Sequence, residues 1–443
     1  MSAISRRRLL QSGAAASMLA ASAGFSRASP VAGGTLRISG QADTPPDRLI
    51  APFVFDTLTQ VGAGGALHGG LALAWRAEEG GARWRFTLNP AAAWHDGSPV
   101  RAGQIAEALG AGASIIPALA AIEGVGETEV ILKLDTAVAG LPFILADPRL
   151  ALRHPDAPTL GTAGYRATAN EVSFERVLPS AGPFDQIEYI SLNGARAGRD
   201  ALLDGRSDLF AIDDSAALSH RRVGLRHAVI DLERLEILAD GPGSDAVAHA
   251  LKLGLDRPRL LQEWSGGFGK IAHDHPVLTE PMPNQRHIQA ATSALAERGL
   301  KSASVTIDAA MIPDPATERL LRALVRDARA IGLRLTSPSG AAPLTPRLTL
   351  RTRPMDRTPE AALWAARDGG FEACVHYQSD LATLLAGGDS TGRAAQVAAI
   401  TQRLATESRI IVPAIRERLA LCGPRIQITG NLRDISLTAP RAA

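Results

Sequence analysis

The chain is short of several things, and each shortage narrows what it can be. It has two cysteines in 443 residues, Cys374 and Cys422. They either pair, which an oxidising compartment would permit, or stay as buried free thiols; sequence separation does not decide between these. Aromatic residues make up only 4%, too sparse for a surface built to stack on sugars or bases. Lysine is almost absent: Lys133, Lys252, Lys270 and Lys301 are the four among 47 basic residues. Arginine carries the remaining positive charge, a compositional bias shared with the alanine richness. The formal net charge is only +2, and no basic block stands out beyond the N-terminus, which argues against nucleic acid as a partner. After the first thirty residues no apolar run is long enough to span a bilayer. What is present, 46% hydrophobic and 21% charged residues, suits a globular chain with enough core for two or three domains.

The N-terminus carries the clearest local signal. "SRRRLLQSGAAASMLAASAGFSRASP" places Arg6, Arg7 and Arg8 before Leu9 and Leu10, then a weakly apolar alanine-rich stretch, then small residues. That is the charged, apolar and cleavage layout of an export signal, here of the twin-arginine kind. Cleavage is expected after Ala28 or Ala23. No cysteine lies at the cleavage region, so a lipid anchor is not expected and the mature chain should be periplasmic.

Strand patterns dominate the first half. "GGTLRISG" opens the mature region with Leu36 and Ile38 on one side. "RWRFTLNP" (83–90) alternates Trp84, Phe86 and Leu88 with Arg83, Arg85 and Thr87, the mark of a half-buried strand. "TEVILKLD" (128–135) and "DQIEYISL" (185–192) follow the same rule. Helices come later. "ATERLLRALVRDARAIG" (316–332) lines up Leu320, Leu321, Leu324, Val325 and Ala328, with Gly332 where a C-terminal cap belongs. "GRAAQVAAITQRLATES" (392–408) reads as another helix and "IIVPAI" after it as extended. The stretch 142–158 is placed as a boundary, and 273–285 as a long polar loop with three prolines.

The signatures of covalent chemistry are missing. There is no Gly-x-Ser-x-Gly elbow. "GGFGKIA" (266–272) lacks the Ser or Thr and the glycine spacing of a phosphate loop, and "GAGGAL" (62–67) lacks the third glycine of a dinucleotide fingerprint. His273, Asp274 and His275 have no neighbour in sequence to complete a metal set, and His275 precedes Pro276 in a conformation expected to be extended. His95 and Asp96 in "WHDGSPV" could serve catalysis. The local reading is a turn at Asp96-Gly97, fixed by Pro99, that joins the strand at 83–90 to a helix carrying Ile105, Ala108 and Leu109. No catalytic residue, metal or cofactor is assigned.

Several segments then line up with a known family. Phe55-Asp56-Thr57-Leu58, Leu71-Ala72-x-x-Trp75, Trp84-x-Phe86-x-Leu88 and Trp94-His95-Asp96-Gly97 occur in order over 53–109. This run resembles the family 5 solute-binding proteins of bacterial ABC importers, the peptide, nickel and opine type. "GTAGYR" (161–166), "ALLDGRSDLF" (201–210), "LKLGLDRPRLLQEWSGGFGKIAHDHPV" (251–277) and "LAERGL" (295–300) are similar to later family segments, so the resemblance spans nearly all of the mature chain. Two departures stand out. Arg101-Ala102-Gly103-Gln104 stands where Thr-Ala-x-Asp is usual, removing a side-chain helix cap that Gln104 would partly replace. The Asn-Pro-x-Tyr-Trp segment expected after 161–166 is missing, and 103–127 is short.

The resemblance implies an α/β fold of the two-lobe periplasmic binding protein kind (type II, the large family 5 variety), with an extra subdomain in lobe I. It implies lobe I from 33–50, 155–215 and 405–443, its subdomain at 51–154, and lobe II at 216–404, after a signal at 1–28. It implies a monomer, not an enzyme, that captures a small solute between the lobes, a di- or oligopeptide or a related compound. The loaded protein would hand it to ABC permease subunits in the inner membrane. A fold-sharing exported protein without a transport role, a scavenger or sensor partner, is the alternative. By the same resemblance Asp380 is the expected lobe II carboxylate for a ligand ammonium, with His376 and Tyr377 lining the approach and Phe55 facing the cleft from lobe I. Asp380 could equally be the N-cap of a helix beginning at Leu381, and Phe55 a core residue.

Overall fold

The computed structural model describes residues 33–41, 47–62, 66–170, 172–178, 182–212, 226–277, 286–311, 316–336, 345–356, 358–366, 376–385, 390–428 and 435–437. The expected signal at 1–28 and Cys374 lie outside them. Among the described residues, one mixed sheet of 12 strands forms the backbone of the fold. Its order from one edge is Arg334–Thr336, Ser304–Met311, Arg347–Pro354, Arg226–Asp240, Ala414–Cys422, Leu209–Ile212, Thr35–Gln41, Gln186–Leu192, Ser173–Arg176 and Tyr165–Ala167, with Gly269–Ile271 and Ile410–Ile411 attached off this path.

The two central strands are the longest features of this sheet. Arg226–Asp240 and Ala414–Cys422 pair antiparallel from Arg226↔Cys422 to Arg234↔Ile415, with an irregularity between Val229 and Asp231. Such a bulge bends a strand and increases its twist. On one side, Leu209–Ile212 pairs with Ala414–Cys422 and lies parallel to Thr35–Gln41. On the other, Glu233 to Asp240 pairs with Pro354 to Arg347. The same two strands therefore serve both halves of the sheet.

Each half has its own core. Leu36, Ile38, Phe55, Ile187 and Leu209 belong to one. Leu235, Ile237, Leu251, Trp264, Leu320 and Leu350 belong to the other, where the helices Ser244–Gly254, Arg257–Ser265, Ile288–Glu297 and Thr317–Ala330 cover one sheet face. The helix at 317 ends as its sequence requires: Gly332 is left-handed (φ 92°), and the Leu333 N–H returns to the Ala328 carbonyl.

A separate antiparallel sheet, Ala72–Glu78, Arg83–Leu88, Glu129–Leu134 and Leu119–Val125, occupies the middle of the first 150 residues. Phe86, Val130 and Leu132 are fully buried on its inner face beside the helix Ala102–Gly110. Its outer face carries Glu78, Arg85 and Glu129 in an ion-paired row. Alternation in "RWRFTLNP" thus reads out directly as an apolar and a charged face.

Two sequence expectations need correction. The part of 273–285 that is described, up to Val277, is packed and not a solvent loop: Asp274, His275 and Val277 are buried. Asp274 accepts from Nη1 and Nη2 of Arg257 and from the Val412 N–H. The helix expected from Leu381 starts at Tyr377, so Asp380 sits in its first turn and not at the cap. Cys422 is a buried free thiol whose pKa burial raises. Among the described residues no helix is long and apolar enough to cross a membrane.

Candidate functional site

The long strand Arg226–Asp240 presents opposite characters on its two faces. Leu235 and Ile237 point into the core of the helical half. Arg234 and Glu236, on the other face, are almost completely buried yet charged. Buried charges persist only when paired and hydrogen-bonded. Here the partners come from the neighbouring strand, since Arg353 stands opposite Arg234 and Arg351 opposite Glu236. Glu236 accepts from Arg234 Nε at 2.7 Å and from Arg351 Nε at 2.6 Å. Arg353 Nε lies 3.4 Å from the same carboxylate. Burial works against ionisation of Glu236, but the three guanidiniums together hold its pKa below the usual carboxylate value.

The cluster continues across to the first 150 residues. Asp356 lies 3.5 Å from Arg234 Nη1 and is also paired with Arg149. Arg149 is in turn held by Asp147 at 2.7 Å, whose carboxylate also caps the short turn Pro148–Leu150. Although burial opposes it, these two carboxylates raise the Arg149 pKa.

Among the described residues, Arg149, Arg234, Arg351 and Arg353 cluster with Asp147, Glu236 and Asp356. Arg353 is the least well held: its side chain is 31% exposed and shares Glu236 with two closer arginines. Burial, then the charges of Arg351 and Arg234, pull its pKa below the usual arginine value, with Glu236 opposing. A half-buried guanidinium fork in a cationic corner is chemically suited to a carboxylate.

A second polar contact lies close by in sequence. Glu360 is 2% exposed and pairs through Oε1 with Arg393. Its Oε2 is buried without a hydrogen-bond partner.

The residues singled out from sequence are distributed differently. Tyr377 is buried and its hydroxyl donates to the Leu363 carbonyl. Asp380 is ion-paired with Arg403 of the following helix. His376 is exposed, with a left-handed φ of 62°. Phe55 lies in the core of the other half, with the Arg153 guanidinium 3.9 Å from its ring centroid. Tyr377 and Phe55 thus belong to separate cores. The arginine cluster went unnoticed in the sequence. Its one visible signal is "LTLRTRP", where Arg351 and Arg353 sit on the same side of an otherwise regular strand.

No family model matches the chain, and no curated protein matches it. Solved structures do. NikA from Brucella suis in complex with Fe(III)-EDTA has a TM-score of 0.73 at 16% identity, over 91% of this chain and 100% of that one. The binding protein AgaA from A. tumefaciens R10, in complex with agropinic acid, has a TM-score of 0.70 at 14% identity, over 92% and 99%. The ABC transporter-associated periplasmic binding protein DppA from Helicobacter pylori, in complex with the peptide STSA, has a TM-score of 0.70 at 13% identity, over 92% and 99%. The chain has the two-lobe α/β fold of the periplasmic binding proteins.

Proposed function

We propose that this chain is the exported solute-binding component of an ABC importer and that it captures a small carboxylate-bearing solute, a di- or oligopeptide or a related acid. The observation that carries the reading is Arg353, a half-buried guanidinium that shares Glu236 with two closer arginines. A ligand carboxylate would engage it with two parallel N–H···O bonds. Among proteins of the same fold, one structure holds agropinic acid and another the chelate Fe(III)-EDTA. The two lobes, divided as the sequence suggests, would turn about Arg226–Asp240 and Ala414–Cys422, so that solute affinity biases the closed form read by a membrane permease. No covalent step is needed. Asp380 and Tyr377, tied to Arg403 and Leu363, would position the helix that presents His376.

The test is a thermal-shift screen of the mature protein against di- and oligopeptides, opine acids, and nickel and iron chelates. A true ligand stabilises the folded protein with the logarithm of its concentration over Kd, by about 2.7 kcal/mol at one hundred times Kd, and so raises the melting temperature. Arg353→Gln should lose that shift while melting normally alone. If no acid in the panel shifts the wild type, or if the variant shifts equally, the proposal fails.

A further inference from the structure

We infer that the lobes are joined by a built-in seam, in which residues 138–150 dock on the helices Pro359–Ala366, Tyr377–Leu385 and Ser390–Glu407 and Arg149 latches onto Asp356. Three kinds of contact meet there. The Ala139 N–H donates to the Leu385 carbonyl at 3.2 Å, joining main chain to main chain over nearly 250 residues. Val138, Leu141 and Leu150 share one continuous apolar core with Leu363, Leu381 and Leu384. At the polar end, Asp356 lies between Arg149 of one lobe and Arg234 of the long strand.

Gly140 shows how close the approach is. A Cβ there would stand 3.0 Å from Arg393 Nη2 and 3.9 Å from Glu360 Oε2. Every one of these contacts joins two groups of this chain, so no ligand atom is required to make them. Parting the lobes at this edge would wet the shared apolar core and leave Asp356, itself nearly buried, with Arg234 alone. The seam therefore favours closure from within. A solute would enter through brief openings, and its observed association rate would level off with concentration at the opening rate.

The inference goes beyond the capture proposal, and its test needs no solute. The protein is stripped in guanidinium, refolded, and followed by hydrogen exchange with mass spectrometry. The wild-type peptide containing Ala139 should be protected. In Arg149→Gln it should exchange about tenfold faster, while peptides from 244–265 keep their protection, and the radius of gyration should rise. Fast exchange at Ala139 in the wild type overturns the inference, as does unchanged protection and radius in the variant. If the variant does not fold, the wild-type rate at Ala139 decides alone.

Discussion

His95 uses both ring nitrogens to hold one segment. Nδ1 accepts from the Gly161 N–H at 3.2 Å, so Nε2 carries the proton and donates to the Ala163 carbonyl at 2.9 Å. Burial lowers its pKa and keeps the ring neutral, as that pairing requires. Asp96 turns away and accepts from the Ser98 N–H and hydroxyl. The pair that looked catalytic is thus a clamp and a turn. His95→Ala leaves two buried backbone groups without partners, and urea denaturation should show a loss of about 3 kcal/mol. His275 gives a pH prediction. It is buried, its Nδ1 lacks a partner, and burial pushes its pKa from 6.5 down to about 4. The unfolded chain therefore binds more protons than the folded one between those values. Stability from this residue is complete above pH 6.5 and is lost as pH falls toward 4, by about 3 kcal/mol. His275→Leu should flatten the dependence of the urea midpoint across that window; an equally steep profile would remove His275 as its cause.

Elements whose period is clean were legible. The strands Arg83–Leu88 and Gln186–Leu192 and the helix Thr317–Ala330 fall where alternation and stripe place them, although Val325 of the stripe is exposed and Ala323 and Asp327 are buried in its stead. The helix Ala102–Gly110 shows how a substituted cap works. Gln104 Oε1 accepts from the Arg101 N–H and from Trp94 Nε1, both at 3.0 Å, and Gln104 Nε2 meets His154. One side chain supplies the return half of a capping box and pins the tryptophan of the turn before it, while position 101 makes no side-chain cap. Gln104→Ala should cost about 1.5 kcal/mol in a denaturation midpoint, and Gln104→Glu should recover part of it by keeping the acceptor. The strand Arg226–Asp240 was not legible. "DLERLEIL" mixes charge into its interior because Arg234 and Glu236 are buried against charges from residues more than 100 positions away. Local pattern carries no trace of such partners, which is also why the candidate site escaped the sequence.

At the scale of the molecule, the cores of the two halves of the large sheet share two strands. Glu233 on one strand holds Arg416 at 2.8 Å and Arg418 at 3.1 Å on the other, and Arg416 lies over the Trp264 ring. Strands common to both halves couple their unfolding. Calorimetry should give one transition, and Glu233→Gln should lower it as a whole, by roughly 3 kcal/mol, without splitting it. Two resolved transitions would show that the halves unfold independently.

The position of Ala414–Cys422 in the chain has a temporal consequence. It is the strand on which both halves of the large sheet meet, and it is synthesised after every other described strand of that sheet. Until it arrives, Leu209–Ile212 and Arg226–Asp240 each present an open edge to the cell. A nascent chain of this protein cannot finish either half early. It must be shielded until that strand emerges, and a nonsense mutation near residue 410 would yield no smaller folded product.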